Sequence, residues 1–176
     1  MPKIIMVSRQ ILVIDTNIII DFHQGGILEC VFKLPFSLIT PDVIVDELEE
    51  PDGDYVKGLG LKEKRLPGSQ VIQVITLSQT YRKPSVNDLF ALVLAENLST
   101  ILLTGDKSLR DVALIKKVKV RGTLWLLDQL VSMQTITPEK AQKALKRMLD
   151  SGSRLPRNEC QKRIKEWGNI SKYYKK

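Results

Sequence analysis

The feature that most constrains this chain is an apolar, β-branched run that leads directly into polar residues. Residues 11–14 read Ile-Leu-Val-Ile, and Asp15, Thr16 and Asn17 follow without a break. Such a run is typical of a buried strand, and burying a carboxylate without a partner costs several kcal/mol. The end of this strand must therefore be occupied by solvent, by a basic side chain or by a metal ion.

Strand-like runs alternate with helical patterns along the chain, which predicts an α/β fold with a mainly parallel sheet of four to five strands. The predicted strands cover residues 11–15, 36–40, 71–76, 100–104 and 117–122. The predicted helices cover 17–34 (with a break near Gly25 and Gly26), 41–50, 85–97, 107–116, 123–133, 138–149 and 158–167. Residues 51–68 contain Pro, Gly and mixed charges, and they are predicted to form a long loop.

Length and composition favour one domain with a sizeable core, since the chain has 176 residues and 43% hydrophobic content. No apolar run approaches the roughly 18 residues of a membrane span, and the N-terminal residues lack the pattern of a secretory signal. Cys30 and Cys160 lie far apart without CxxC spacing, so we expect free, reduced thiols. A cytoplasmic protein is therefore expected.

The net charge of +7 is concentrated near the C-terminal end of the sequence. Residues 139–176 contain 12 Lys and Arg against 4 acids, whereas residues 1–138 contain 15 basic and 16 acidic residues. Such a segment either attracts a polyanion through counterion release or forms a solvated helical face, and charge alone does not separate the two. We therefore divide the chain into a domain over residues 1–136 and a basic helical extension over 137–176, packed on the domain or projecting from it.

Four acidic residues follow predicted strands or lie on helices that begin at strand ends: Asp15, Glu47, Asp88 and Asp106. Each has an ordinary structural explanation, because Asp is a favoured helix N-cap, Ser85 and Asp88 fit a capping box, and Glu47 could be plain surface charge. Glu47, however, comes three and four residues after Ile44 and Val43, which predicts that it shares their buried face. Asp111 is either an auxiliary ligand or a surface acid.

The carboxyl ends of parallel strands meet at one edge of a sheet, so the four acids are predicted to converge there. Clustered carboxylates raise one another's pKa and cost stability, and a divalent cation is the usual compensation. All-oxygen ligation selects hard ions, which indicates Mg²⁺ or Mn²⁺. His23, the only histidine, is expected to be a helix residue and not a ligand. Carboxylates that hold a metal-activated water suit the hydrolysis of phosphodiester bonds.

These motifs resemble those of PIN domains, small metal-dependent nucleases that include the toxins of toxin–antitoxin pairs and RNA-processing enzymes. The resemblance rests on VIDTN, VDELEE, VNDLFALVLAENLSTILLTGD and DKSLRDVA, between about residue 10 and about residue 135. It implies a three-layer α/β/α sandwich and Mg²⁺- or Mn²⁺-dependent endonuclease action on single-stranded RNA. It also implies that the catalytic, metal-binding acids are Asp15, Glu47, Asp88 and Asp106, with Asn17 and Thr104 orienting carboxylates and water.

The resemblance further implies a homodimer and, for a toxin, an antitoxin partner. Residues 51–68 and the basic tail beyond Thr137 are long for a compact toxin, and they bear on the toxin assignment more than on the chemistry. A basic tail would hold RNA near an acidic site, and the residues expected to bind nucleic acid are Lys107, Arg110, Lys162 and Arg163. Trp125 and Trp167 are both candidates for stacking on bases. The sequence around Trp125 favours packing in a core or dimer face instead, whereas Trp167 either stacks on bases or packs internally.

Other classes of protein share parts of this pattern. A catalytically idle PIN-like scaffold would use the basic tail to bind RNA or a protein, although the presence of all four acids favours an enzyme. An RNA-processing nuclease without an antitoxin would share the chemistry. An aspartate-nucleophile phosphatase normally has a second Asp two residues after the first, where this chain has Asn17. A receiver domain has paired acids before its first helix, and these are absent here.

Overall fold

The computed structural model describes residues 9–174, with side chains described for residues 9–170. Its five strands are β1 (Gln10–Ile14), β2 (Phe36–Pro41), β3 (Lys62–Lys64), β4 (Ile101–Leu103) and β5 (Val120–Arg121). They form one sheet in the order β3-β2-β1-β4-β5, and every neighbouring pair is parallel. The predicted parallel α/β sheet is confirmed, and β1, which leads into Asp15, is its central strand.

Ten helices are present in the described part of the chain: α1 (Thr16–Gln24), α2 (Leu28–Val31), α3 (Asp42–Glu47), α4 (Gly53–Leu59), α5 (Gly68–Thr80), α6 (Val86–Asn97), α7 (Lys107–Ile115), α8 (Thr123–Ser132), α9 (Pro138–Asp150) and α10 (Arg157–Tyr174). Successive side chains of a strand point to opposite faces of the sheet. Leu12 and Ile14 pack with α1, α8 and α9 on one face, whereas Val13 packs with α5, α6 and α7 on the other. The three-layer α/β/α sandwich is therefore confirmed. None of the described helices combines the length and apolarity that crossing a membrane requires.

The predicted strand at residues 71–76 is wrong, because this segment lies within α5. Val74 and Leu77 are buried three residues apart, whereas Ile72 and Ile75 are exposed. That spacing is the period of a helix with one buried face, which here contacts α6. The apolar residues of this run are dense enough to fit either period, so the sequence pattern did not separate helix from strand.

The predicted loop at residues 51–68 is also wrong, since it contains α4 and β3. Asp52 caps α4 by accepting a hydrogen bond from the Tyr55 N–H at 2.8 Å, and Gly60 ends the helix in the left-handed conformation with φ 119°. Strand β3 reads Lys-Glu-Lys and is exposed throughout. An edge strand of this kind pairs through its backbone and carries polar side chains, so it leaves no apolar pattern in the sequence.

The C-terminal helices pack on the domain and share its core. In α9, Ala141, Ala144, Leu145 and Met148 are buried, and in α10 Cys160 and Trp167 are buried. The Gln142 side chain donates a hydrogen bond to the Ile164 carbonyl, which joins the two helices. Trp167 is therefore a core residue and not a base-stacking surface. Cys30 and Cys160 are free and buried, and the boundary between residues 136 and 137 stays a prediction.

Candidate active site at the carboxyl edge of the sheet

Asp15 follows β1 and begins α1, and its carboxylate is 1% exposed. It accepts hydrogen bonds from the Thr16 N–H at 2.8 Å, the Thr104 hydroxyl at 2.8 Å and the Asn17 amide at 3.3 Å. Burial raises the pKa of Asp15 to about 6, the negative charge of Asp88 adds to this increase, and the hydrogen bonds oppose it. Asp15 is thus both the N-cap of α1 and a buried acid that carries a destabilised charge.

Glu47 is the last residue of α3, and it joins the site in a way that differs from the prediction. Ile44 is buried, but the Glu47 side chain is exposed, since the chain leaves the helix at Leu48. One carboxylate oxygen accepts a hydrogen bond from the Thr16 hydroxyl, and the other accepts one from the Asn87 amide, both at 2.5 Å. Glu47 therefore links α3 to the starts of α1 and α6.

Asp88 completes the capping box predicted at the start of α6. Its Oδ2 accepts a hydrogen bond from the Ser85 N–H at 2.8 Å, and its own N–H donates to the Ser85 hydroxyl at 3.0 Å. Burial raises the pKa of Asp88, the hydrogen bonds with Ser85 oppose that increase, and the negative charges of Asp106 and Glu47 add to it. Asp88 therefore caps α6 and also lies close enough to the other acids to interact with their charges.

Asp106 caps α7, which follows β4. Its Oδ1 accepts hydrogen bonds from the Leu109 N–H at 2.7 Å and the Ser108 hydroxyl at 2.5 Å. Its N–H donates to the Thr104 hydroxyl at 3.1 Å. Thr104 therefore lies between two of the four acids.

The four acids interact electrostatically, with Asp88 between the others. The charge of Asp88 raises the pKa of Asp15, and the charges of Asp106 and Glu47 raise the pKa of Asp88. No described basic side chain forms an ion pair with any of the four. Oδ1 of Asp88 and Oδ2 of Asp106 accept no hydrogen bond from the described residues. A hard divalent cation matches this oxygen-only donor set and its uncompensated negative charge.

The carboxylates are not closed around one point. The described residues contain no ready group of three acidic, histidine or cysteine side chains that could hold a metal ion. The reason lies in the hydrogen bonds, because Glu47 is turned towards Thr16 and Asn87, and Asp88 towards Ser85. Binding of an ion by these carboxylates would therefore require some of the side chains to reorient.

Two further acids lie outside this group of four. Asp111 is exposed on α7 and makes no hydrogen bond or ion pair with the described residues. Asp21 is 9% exposed on α1, and it accepts hydrogen bonds from the hydroxyls of Thr123 and Ser153, both at 2.6 Å. Sequence reasoning missed Asp21. An acid between Ile20 and Phe22 in an apolar helix was a signal of a buried carboxylate. His23 also lies on α1, with Nε2 3.9 Å from the Glu50 carboxylate.

A cavity of about 410 Å³, which we name the acidic cavity, lies beside Asp106. Asn17 and Asp21 line it from α1, and the loop between α9 and α10 lines it from the other side. This loop, residues 151–156, is part of the basic extension. The C-terminal helices therefore bring their connecting loop to the edge of the sheet where the acids lie.

The residues expected to bind nucleic acid lie in different surroundings. Lys107 and Lys162 are exposed, and the Arg110 guanidinium donates to the Thr104 carbonyl at 2.9 and 3.2 Å. Arg163 pairs with Asp128 at 2.8 Å and with Glu159 at 2.9 Å. The charge of Arg163 is thus committed to joining α10 to α8, and nucleic-acid binding by these residues stays a prediction.

Comparison with protein families shows that the model of the family DUF3368, which is described as a PIN domain, matches the chain. The match spans residues 11–169 and so includes the four acids, all of α9 and α10 up to residue 169. The chain belongs to the PIN domain family. PIN domains are in general nucleases and depend on divalent metal ions. No curated protein matches the chain closely.

Proposed function

We propose that this PIN domain is a metal-dependent endoribonuclease that hydrolyses phosphodiester bonds of single-stranded RNA. The observation that supports it best is Asp15, a buried carboxylate whose negative charge is opposed by its surroundings and by Asp88 without any basic partner among the described residues. A protein that keeps such a charge at a strand end loses stability, unless a bound cation compensates it.

The residues that would hold Mg²⁺ or Mn²⁺ are Asp15, Glu47, Asp88 and Asp106. When bound, the ion supplies a water of lowered pKa and neutralises charge on the phosphate. Thr104 and Asn17 keep the Asp15 carboxylate in one orientation through their hydrogen bonds. Asn87 and Thr16 hold the Glu47 carboxylate at the starts of α1 and α6 through their hydrogen bonds.

The test is cleavage of an unstructured RNA with Mn²⁺ by the wild type, Asp15→Asn and Asp46→Asn. Asp46 is exposed on α3, one residue before Glu47, and serves as the matched control. We expect cleavage by the wild type and Asp46→Asn and none by Asp15→Asn. Equal cleavage by all three proteins would reject the site, and the absence of cleavage by the wild type would favour a catalytically idle scaffold that binds RNA or a protein.

We also propose that the protein is the toxin of a toxin–antitoxin pair, cytoplasmic and homodimeric, with an antitoxin that covers the four acids. Two features are long for a compact toxin. Residues 51–68 contain α4 and β3, and the C-terminal extension lies within the family match up to residue 169. A short neighbouring reading frame that encodes a small DNA-binding protein would support the toxin. Its absence would favour an RNA-processing nuclease.

A further inference from the structure

A second cavity, of about 700 Å³, lies next to the acidic cavity and is lined mainly by basic side chains among its charged residues. Its side chains include four basic residues and one indole, namely Lys107, Arg110, Arg121, Arg154 and Trp125, and no described acid lines it. We name it the basic cavity. The two cavities share the lining residues Gly105, Arg154 and Leu155. A bound polymer that leaves one cavity can therefore enter the other directly.

Among the four basic side chains of the basic cavity, Arg154 is the one that also lines the acidic cavity. It is exposed in the loop between α9 and α10, and its guanidinium makes no hydrogen bond or ion pair with any residue whose side chain the structure describes. By contrast, Arg110 donates to the Thr104 carbonyl and Arg121 to the Val120 carbonyl. Lys107, like Arg154, makes no such contact in the described part of the chain. Arg154 therefore keeps its donors available for an anion that enters the cavity.

The loop that carries Arg154 is held in place by Asp21. The Ser153 hydroxyl donates to Asp21 Oδ1 at 2.6 Å, and the Ser153 N–H donates to the Met148 carbonyl at 3.0 Å. Asp21 forms no ion pair with a described residue, so the burial of its charge is compensated only by hydrogen bonds. Burial raises the pKa of Asp21, although the hydroxyls of Ser153 and Thr123 oppose this increase. A buried carboxylate that connects α1 to a loop 132 residues away fixes the loop's position at the junction of the two cavities.

Trp125 adds a surface suited to a nucleobase. Its ring stacks on Phe36, with 5.9 Å between ring centroids, and it is half-buried, so the indole is held by packing. Sites for single-stranded nucleic acid combine a positive groove, which follows the backbone, with aromatic rings on which unpaired bases stack. The basic cavity contains both components.

We propose that the basic cavity binds the phosphodiester backbone of single-stranded nucleic acid, with Arg154 on a phosphate and Trp125 beside a base. The inference rests on the proposed ribonuclease function, in which the bound nucleotide is a neighbour of the one at the acids. Arg154 is a substrate-binding residue, and Ser153 and Asp21 are positioning residues. Among the four basic side chains, only Lys107 and Arg110 were predicted from the sequence.

The test measures binding without cleavage. The full-length protein is titrated into fluorescein-labelled oligouridine in EDTA at several KCl concentrations, and fluorescence anisotropy gives the affinity. Each phosphate contact to a single strand contributes about 0.7 to the slope of log K against log salt. We expect Arg154→Gln to bind more weakly than the wild type and to lower that slope by about 0.7, whereas Arg154→Lys retains the slope.

The matched control is Arg9→Gln, because Arg9 is exposed just before β1, at the opposite end of the strand from the acids. It is expected to keep the wild-type slope. Equal slopes for Arg154→Gln and the wild type would overturn the inference, as would equal affinity for oligouridine and an RNA duplex. In Trp167→Phe, Trp125 is the only tryptophan left, and oligouridine is expected to quench its fluorescence. Unchanged emission would remove Trp125 from the binding site.

Positioning by Ser153 is tested separately with Ser153→Ala, which removes the hydroxyl and leaves every charge in place. We expect weaker binding of oligouridine and recovery in Ser153→Thr; wild-type affinity in Ser153→Ala would overturn the positioning role. EDTA separates this test from the ribonuclease proposal. RNA that binds through Arg154 but is not cut with Mn²⁺ would overturn the proposed activity alone, whereas cleavage with no effect of Arg154→Gln on binding would overturn only this inference.

Discussion

The Thr104 hydroxyl donates a hydrogen bond to the buried carboxylate of Asp15 at 2.8 Å. The same hydroxyl accepts a hydrogen bond from the Asp106 N–H at 3.1 Å. Thr104 itself is fully buried at the end of β4, next to β1 in the sheet. One side chain thus contacts two of the proposed metal ligands, which follow neighbouring strands.

Replacing Thr104 by valine removes this hydroxyl with almost no change of shape. Residues that orient metal ligands typically affect metal affinity or activity by about 10-fold to 100-fold, so we expect Thr104→Val to lower Mn²⁺-dependent RNA cleavage by that amount. The matched variant Thr104→Ser retains the hydroxyl and is expected to keep most of the activity. Activity of Thr104→Val equal to the wild type would show that Asp15 does not depend on this contact.

In the metal-free protein, the contribution of Asp15 to the free energy of unfolding is expected to fall as the pH rises. Burial raises the pKa of Asp15 from 3.8 to about 6, so the folded state binds the proton more tightly than the unfolded chain. The free energy of unfolding then decreases between about pH 4 and about pH 6, by up to about 3 kcal/mol from this group. Urea unfolding in EDTA should show this decrease for the wild type relative to Asp15→Asn. A constant difference between the two proteins over that range would contradict the pKa assignment.

The positions of three of the four acids could be predicted because each of the three has a local sequence signal. Asp15 and Asp106 follow apolar strands, and Asp88 begins a helix with Ser85 as its cap. In a parallel sheet those positions lie at one edge, so strand order was not needed to expect proximity. The burial of Glu47 was predicted wrongly because helix periodicity says nothing about where α3 ends.

What could not be predicted depends on contacts between distant parts of the chain. Asp21 accepts hydrogen bonds from Thr123 and Ser153, which follow it in the sequence by 102 and 132 residues. Strand β3 has no apolar residue, and only its pairing with β2 makes it a strand. The basic cavity likewise combines α7, β5, α8 and the loop after α9. No local pattern brings these segments together.

Arg163 is expected to act on stability and not on RNA binding. Its Nε and Nη2 donate to the Asp128 carboxylate at 2.8 to 3.0 Å. Because Asp128 is partly exposed, solvent screening limits the loss for Arg163→Gln to about 1 kcal/mol of unfolding free energy. Lys162→Gln, at the exposed neighbouring position, should leave stability within about 0.5 kcal/mol of the wild type. A reduced salt slope for RNA binding in Arg163→Gln without loss of stability would reverse this assignment.

Trp167 is expected to be a structural residue. It is 4% exposed, in the core that α10 shares with the rest of the domain. Truncating a buried aromatic side chain typically costs about 3–5 kcal/mol, so Trp167→Ala should unfold at much lower urea concentration than the wild type. Trp167→Phe retains most of the buried area and should lose less. A Trp167→Ala protein with normal stability and impaired RNA binding would instead favour base stacking.

The central claim is that Asp15, Glu47, Asp88 and Asp106 form one site for a hard divalent cation. Isothermal titration calorimetry of the metal-free protein with Mn²⁺ tests this claim directly, because it needs no substrate. We predict saturable binding by the wild type and by the control Asp46→Asn, and loss of that binding in both Asp15→Asn and Asp88→Asn. Mn²⁺ binding that is unchanged in both of these variants, or absent from the wild type, would contradict the account.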